Sequence, residues 1–251
     1  MDPSSNTILI TGGASGIGLA LAVRFLRAGS QVIVCGRRED KLREAQTVNP
    51  GLQIRVCDVA NPADRVTLLE WATREFPALN VLVNNAGIQR RIQLAAGMQP
   101  KNNDDWVQTQ QEIAINLEAP IHLSALFIPH LLRQPRPAIM NVTSGLAFAP
   151  LVAAPVYSAT KAALRSFTLS LRHQLAKTPI EVVEVIPPAV NTDLGGPGLH
   201  DFGAPLNEFA DAVFARLKND DLEIAYGYAA MASRASREEL DAAFERMNGG
   251  K

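Results

Sequence analysis

The chain has little cysteine, no excess of charge of either sign and no long hydrophobic run. Only two of its 251 residues are cysteines. Cys35 and Cys57 each end an apolar strand candidate, so we interpret them as reduced core residues and not as a disulfide or a metal site. The 24 basic and 25 acidic residues form no basic stripe, which argues against nucleic acid or an anionic membrane as the main partner. No apolar run reaches the roughly 20 residues that a membrane span requires.

The start of the chain and the histidines also lack recognisable signals. Met1–Asn6 is polar and has no basic, apolar leader, so we expect a flexible tail on a cytoplasmic protein. The four histidines show no metal-ligand spacing, and we expect no metal. The length suits one core, which predicts a single domain over residues 1–251 with a C-terminal helical extension at residues 228–251.

Short apolar segments alternate with helical patterns along the rest of the chain. The strand candidates are residues 7–11, 31–35, 53–57, 80–84, 137–143, 181–186 and 222–226. This alternation predicts an α/β fold: a doubly wound (Rossmann) and predominantly seven-stranded parallel sheet with helices on both faces. In such a sheet, ligands bind outside the carboxyl ends of the strands.

A glycine-rich turn follows the first strand candidate. Gly12, Gly16 and Gly18 lie between that strand and a helical pattern over residues 19–28. Strand, glycine turn and helix are the context of a phosphate cradle, in which the helix N-terminus directs free N–H groups at an anion. The spacing Gly-x-x-x-Gly-x-Gly differs from the usual dinucleotide fingerprint.

Tyr157 and Lys161 lie one helical turn apart, on one face of a predicted helix. An ammonium group near a phenol favours the phenolate and lowers the pKa of the phenol from about 10. Ser144 offers a hydroxyl that could hold a substrate oxygen beside the phenol. The three residues suit proton transfer between an alcohol and a carbonyl, although an ordinary surface pair at positions 157 and 161 explains the same spacing.

The motifs taken together are those of a known family. The chain carries Thr11-Gly12-x-x-x-Gly16-x-Gly18, Asn84-Asn85-Ala86-Gly87, Ser144 and Tyr157-x-x-x-Lys161 in that order. Over residues 7–227 it resembles the short-chain dehydrogenase/reductase family, in its compact single-domain branch. Within the family it looks most like the subgroup named after the oxidoreductase of the teichoic-acid D-alanylation operon.

The resemblance implies an oxidoreductase that moves a hydride between a nicotinamide cofactor and a carbonyl or alcohol carbon. Tyr157 would be the general acid/base, Ser144 would hold the reacting oxygen, and Lys161 would also bond the nicotinamide ribose. Asn116 would hold a water linked to Lys161, although satisfaction of a helix kink before Pro120 is the alternative. The implied cofactor-binding residues are Gly12, Ser15, Gly16, Ile17, Gly18, Arg37, Arg38, Asp58, Val59, Asn85, Ala86, Gly87, Tyr157, Lys161, Pro187, Val190 and Thr192. Pro188 stands where the family usually has glycine, so the contact with the nicotinamide must differ there.

The second strand candidate indicates which nicotinamide cofactor binds. NAD enzymes place an acidic residue at this strand tip to bond the ribose 2′-hydroxyl. This chain has Gly36-Arg37-Arg38 there, and two guanidinium groups suit a 2′-phosphate. We therefore predict NADP(H) over NAD(H), with a solvated basic turn as the alternative interpretation.

The substrate is the least determined part. Ile88, Leu146, Leu151 and Leu194 are the predicted substrate contacts, and Phe148, Pro150 and Val152 are further wall candidates that core packing explains equally well. They favour a small apolar carbonyl or alcohol. Residues 191–205 have the composition of a mobile lid. Arg90, Arg91 and Lys101 could meet an acidic substrate or form a solvated loop.

Two whole-protein expectations remain. The family resemblance implies a homodimer or homotetramer formed through the helices around residues 104–133 and 155–177. A catalytically silent, NADP(H)-binding sensor or scaffold of the same fold is the alternative to the enzyme.

Overall fold

In the computed structural model, which describes residues 1–94 and 104–249, seven strands form one sheet. They are β1 (Thr7–Thr11), β2 (Gln31–Gly36), β3 (Gln53–Val56), β4 (Val81–Asn84), β5 (Ala138–Val142), β6 (Glu181–Ile186) and β7 (Glu223–Ala225). Their order is β3-β2-β1-β4-β5-β6-β7, and every neighbouring pair is parallel. The predicted doubly wound parallel sheet is confirmed.

Helices connect the strands. They are α1 (Gly16–Arg27), α2 (Glu39–Val48), α3 (Pro62–Glu75), α4 (Asp104–Ile113), α5 (Ala119–Leu131), α6 (Pro155–Gln174), α7 (Leu206–Leu217), α8 (Tyr228–Ala232) and α9 (Arg237–Asn248). A π-helical turn (Ala114–Glu118) joins α4 to α5, and a 3₁₀ turn (Gly145–Ala147) follows β5. No helix among the described residues is long and apolar enough to cross a membrane.

The central strands are apolar on both sides because helices cover both faces of the sheet. Along β1, Ile8 and Ile10 pack in one core with Phe25 of α1 and Phe209 of α7. Leu9 points the other way, into a second core that contains α3, α5 and α6. All these side chains are fully buried, so the strand sequence itself requires the two helical layers.

Both predicted terminal segments differ in detail from the structure. We expected residues 1–6 to be a flexible tail, but Met1 is buried and the backbone N–H of Asn6 donates to the Ser30 hydroxyl. The C-terminal extension contains two helices, because Ser236 caps α9 with a capping box and separates it from α8. The strand predictions agree with the structure to within one residue at each end.

The sheet reverses its order between β1 and β4. Crossovers from β1 lead outward to β2 and β3, whereas the chain after β4 builds the other half. At such a reversal the loops leaving the two strands diverge, and a crevice opens at their carboxyl ends.

Candidate active site

A cavity of about 2190 Å³ occupies this crevice. Its volume exceeds the roughly 300–1,000 Å³ of a typical small-molecule pocket, which leaves room for a dinucleotide and a substrate together. Of the predicted site residues, all but Gly18 and Asn116 line it. One space therefore joins the glycine turn, the arginines after β2, and Ser144 with Tyr157.

The glycine turn has the backbone geometry of an anion cradle. Gly12 and Gly16 have φ values of +65° and +53°, a region that favours glycine. A Cβ on Gly12 would lie 2.8 Å from the Cα of Ala86, so the turn passes too close to the loop after β4 for any side chain. α1 begins at Gly16, earlier than the predicted Leu19, and its free N–H groups therefore start at the cavity. A dinucleotide phosphate fits this arrangement.

Gly18 was predicted to contact the cofactor, but it does not line the cavity. A Cβ there would lie 2.4 Å from Nδ2 of Asn85, which donates to the carbonyl oxygens of Thr11 and Gly12. The Thr11 hydroxyl in turn accepts from the backbone N–H groups of Asn85 and Ala86. Gly18 thus lets α1 pack against the contacts that fix the cradle.

Arg37 and Arg38 lie at one end of the cavity, and both side chains are exposed. No acidic residue stands at the tip of β2. Glu39, the first acid after the arginines, pairs along α2 with Arg43. This end of the cavity presents cationic groups to a ligand.

Asp58 and Val59, two of the implied cofactor-binding residues, line the cavity next to the arginines. Arg65 of α3 holds this loop: its Nε donates to the Val59 carbonyl at 2.7 Å and its Nη2 to the Ala60 carbonyl at 3.0 Å. Sequence reasoning missed Arg65, because a buried arginine has no local signal.

Ser144, Tyr157 and Lys161 meet at the carboxyl ends of β5 and β6. Lys161 Nζ lies 5.6 Å from the centre of the Tyr157 ring and donates to the Val142 carbonyl at 2.8 Å. Ser144 accepts from the backbone N–H of Leu146, and Gly145 N–H donates to the Pro187 carbonyl at 2.9 Å. All three side chains are buried, so the surface-pair interpretation of Tyr157 and Lys161 does not apply.

Burial controls the protonation of this group. It raises the pKa of Tyr157 to about 12, although a hydrogen bond with Ser144 acts in the opposite direction. Burial lowers the pKa of Lys161 to about 8. We had expected the lysine to lower the pKa of the phenol; desolvation outweighs any such effect here. Tyr157 therefore keeps its proton at neutral pH.

Asn116 lies on the π-helical turn, behind the cavity wall. Its Oδ1 accepts from the Ile88 N–H at 2.9 Å and its Nδ2 donates to the Ile88 carbonyl at 2.8 Å. A Cβ on Gly87 would lie 3.5 Å from Asn116 Oδ1 and 3.7 Å from Lys161 Nζ. Asn116 thus fixes the segment that passes in front of Lys161.

The end of the cavity beyond Tyr157 has both apolar and polar lining residues, with Gln89 and Asp193 among the polar ones. Ile88, Leu146, Leu151 and Leu194 all line it, as predicted. The other three wall candidates do not line the cavity. Phe148 packs under the guanidinium group of Arg165. The Pro150 carbonyl accepts a hydrogen bond from Asn248 Nδ2 of α9, and the Val152 N–H donates one to Asn248 Oδ1. These hydrogen bonds hold α9 beside the cavity, and the C-terminal extension therefore forms part of the cavity wall.

The loops around that end follow the predictions only in part. Residues 191–205 line the cavity and close at their base through the pairing of Val190 with Ala204. Arg90 is half-buried, and its guanidinium group contacts Gln108 and Gln111 of α4. Lys101 lies outside the described residues.

Sequence reasoning also missed several cavity residues that come from distant parts of the chain. His200, Tyr228, Arg246 and Met247 line the cavity. Their only sequence signal is their place after β6 or β7, where loops at the carboxyl edge of the sheet begin.

Comparison with known proteins agrees with this arrangement. A family model described as short chain dehydrogenase matches residues 6–200. The chain is 47% identical to the uncharacterized oxidoreductase DltE of Bacillus subtilis (strain 168) over an alignment of 253 positions, which covers 99% of this chain and 98% of that protein.

Two solved structures show the same architecture. A short chain dehydrogenase from Burkholderia cenocepacia J2315 in complex with NADP has a TM-score of 0.82 at 25% identity, covering 97% of this chain and 99% of the other. A short chain dehydrogenase/reductase from Burkholderia phymatum in complex with NAD has a TM-score of 0.81 at 20% identity, covering 97% and 96%, a likeness of fold alone. The chain therefore belongs to the short-chain dehydrogenase/reductase family of oxidoreductases, in the subgroup that contains DltE.

Proposed function

We propose that the chain is an NADP(H)-dependent oxidoreductase that interconverts a small, largely apolar carbonyl compound and its alcohol. The observation that carries this is the meeting of Ser144, Tyr157 and Lys161 in a cavity that also contains a phosphate cradle. A silent sensor would need the cradle but not the buried proton-transfer group.

In the reductive direction, Tyr157 acts as the acid. Its raised pKa keeps the phenol protonated, so the proton is in place to move to the substrate oxygen. Ser144 holds that oxygen and stabilises the charge that develops on it. The nicotinamide, when bound, supplies the hydride to the carbon that bears this oxygen.

Lys161 and Asn116 orient these groups. The Lys161 ammonium, anchored on the Val142 carbonyl, reaches the space beside Gly87 where a nicotinamide ribose would bind. Asn116 holds Ile88 in the facing wall. Both polar atoms of the Asn116 side chain already form hydrogen bonds with the backbone of Ile88. The water that we expect between Asn116 and Lys161 stays a prediction.

The preference for NADP(H) rests on Arg37 and Arg38, which line the end of the cavity that an adenosine ribose would occupy. We place the pyrophosphate on Gly12, Ser15, Gly16 and Ile17, and the nicotinamide between Lys161 and Pro187. Val190 and Thr192 would cover it, and a Cβ on Gly16 would lie 3.5 Å from Thr192 Cγ2. The NADP complex of the relative at 25% identity supports this choice.

The remaining expectations belong to the same proposal. Residues 1–251 would act as a single domain. We place the protein in the cytoplasm, where thiols stay reduced, and both cysteines are free thiols. Trp106, Val107 and Leu169 expose between 42% and 53% of their surface on α4 and α6, which supports a homodimer or homotetramer formed through these helices.

The decisive experiment replaces Tyr157 with phenylalanine. We expect a loss of about 10³-fold in the rate of NADPH-dependent reduction across a panel of ketones and aldehydes, because the general acid is gone. The Kd for NADPH should change less than about threefold. Tyr226→Phe is the matched control, since Tyr226 packs on Phe209 in the core and does not line the cavity. Retained turnover in Tyr157→Phe would contradict the assignment.

A further inference from the structure

Several buried polar atoms in the substrate end of the cavity have no partner in the protein. Among the described residues, five buried side-chain atoms lack a hydrogen bond, and three of them belong to cavity-lining residues: Arg90 Nε, His200 Nδ1 and Tyr228 Oη. None belongs to the cradle or to the Arg37 end. Buried polar groups in native proteins are nearly always hydrogen-bonded, so these atoms indicate that a ligand with polar atoms binds at this end.

Tyr228 is the best placed of the three. It is the first residue of α8, and α8 packs on the turn that follows Ser144: a Cβ on Gly145 would lie 3.2 Å from the Cβ of Ala229. On its other side, a Cβ on Gly227 would lie 3.8 Å from Cγ of Pro188. Tyr228 therefore adjoins both segments that flank the reacting oxygen, the Ser144 turn and the Pro187-Pro188 segment.

The surroundings make a phenol at this place selective. Leu146, Leu151, Leu194 and Leu199 contribute an apolar part to the wall of this cavity end, and a plain hydrocarbon chain would bind to that part as well as any other. Within an apolar pocket, a few polar groups fix orientation and discriminate between substrates. A site built to hydrogen-bond an oxygen rejects an analogue without it, because the donor is then left buried and unpaired.

The unpartnered groups also indicate the kind of ligand atom. The Arg90 Nε–H can only donate, and the Tyr228 phenol can donate as well as accept. A donor requires an acceptor, and the reacting carbonyl oxygen is already assigned to Ser144 and Tyr157. A second oxygen of the ligand would supply the acceptor that Tyr228 lacks.

We propose that Tyr228 donates a hydrogen bond to a second oxygen of the substrate, so that the enzyme prefers an oxo acid or an oxo ester to a plain ketone. This inference rests on the proposed function and adds a substrate class to it. The acid and the ester share the acceptor oxygen, but only the acid carries a negative charge. A comparison of the two therefore separates the hydrogen bond from Tyr228 from any charge contribution of Arg90 and the neighbouring Arg91.

The experiment compares Tyr228→Phe with the wild-type protein on acetoacetate, ethyl acetoacetate and methyl pentyl ketone, with NADPH. Ethyl acetoacetate and methyl pentyl ketone have the same chain length, and only the first has the second oxygen. We expect kcat/KM for both oxygenated probes to fall by about tenfold or more, and kcat/KM for the ketone to stay within about twofold. Tyr226→Phe should change none of the three.

Other outcomes would overturn the proposal. An equal loss on all three probes would make Tyr228 a packing residue, and weaker NADPH binding would assign the phenol to the cofactor. No change on any probe would leave Tyr228 without a role.

A second measurement does not depend on turnover. Binding of ethyl acetoacetate to the NADP⁺-saturated protein, followed by NMR saturation transfer, should be present in the wild type and lost in Tyr228→Phe. Equal binding in both, or none in the wild type, contradicts the Tyr228 assignment. Absence of turnover on every probe contradicts the proposed function instead, and the binding comparison still decides on Tyr228.

Discussion

Arg37 and Arg38 line the cavity at the end where we propose that the adenosine ribose of the cofactor binds. They are exposed, and the neighbouring Lys41 is paired with Glu44 of the same helix. A 2′-phosphate would meet guanidinium groups here, whereas the carboxylate that NAD enzymes place at this strand tip to bond a 2′-hydroxyl is missing. We therefore propose that the first two residues after β2 decide between the two cofactors.

Replacement of Arg37 with alanine tests this choice. We expect the Kd for NADPH to rise about tenfold or more and the Kd for NADH to change less than about threefold, because only the first carries the phosphate. Calorimetry is the suitable measurement, since neither Trp71 nor Trp106 lines the cavity. Arg43→Ala is the matched control: Arg43 lies on α2, the helix that follows the two arginines, and is paired there with Glu39. Equal losses for the two cofactors would show that Arg37 does not contact the 2′-phosphate.

At the scale of secondary-structure elements, a buried ion pair joins α6 to β6 beside the turn that carries Ser144. Glu184 is fully buried, and its carboxylate accepts from Arg165 at 2.5 Å and from the Thr143 hydroxyl at 2.8 Å. Arg165 lies one helical turn beyond Lys161, and Thr143 precedes Ser144. Through Thr143, the pair ties α6, which carries Tyr157 and Lys161, to the turn after β5 that carries Ser144.

Replacement of Arg165 with methionine should leave the Glu184 carboxylate buried without its cation. We expect the free energy of unfolding to fall by about 3–5 kcal/mol, whereas Arg165→Met combined with Glu184→Met should lose much less, because no charge is then stranded. Urea unfolding measures both. Arg74→Met serves as the control for an exposed pair and should have little effect. A double variant as unstable as the single one would show that the charge pair itself stabilises the fold.

The elements could be predicted from the sequence to a greater extent than their contacts. Uniform apolar strands and the glycine turn are local patterns, and the spacing of Tyr157 and Lys161 follows from helical periodicity alone. The start of α1 at Gly16 was missed because glycine has a low helix propensity, although the first turn of a helix needs few of its own hydrogen bonds. Glu184 and Tyr228 acquire their roles from neighbours far away in sequence, and no local pattern indicates those. The partners of Arg65 are close in sequence, but they are backbone carbonyl groups, which leave no trace in the residue pattern.

At the scale of the whole molecule, one buried acid contributes to how stability depends on pH. Glu112 of α4 is fully buried; its Oε1 accepts only the Arg90 N–H at 3.3 Å, and its Oε2 has no partner among the described residues. Burial raises the pKa of Glu112 from its ordinary 4.5 to about 6. The folded-state pKa thus lies above the unfolded one, so ionisation of Glu112 opposes folding. The cost is fully present above about pH 6 and disappears as the pH falls from there toward 4.5.

Glu112→Gln removes this cost, because the amide is neutral at every pH and its Oε1 still accepts from Arg90. At pH 8 the variant should be more stable than the wild type by about 2 kcal/mol, which is roughly 5 °C in Tm. Near pH 5 the gain should be much smaller, because Glu112 in the wild type is then largely protonated. Thermal unfolding at the two pH values measures the difference, with Glu70→Gln as the control for an exposed glutamate. A gain of the same size at both pH values would mean that packing, and not the buried charge, separates the two proteins.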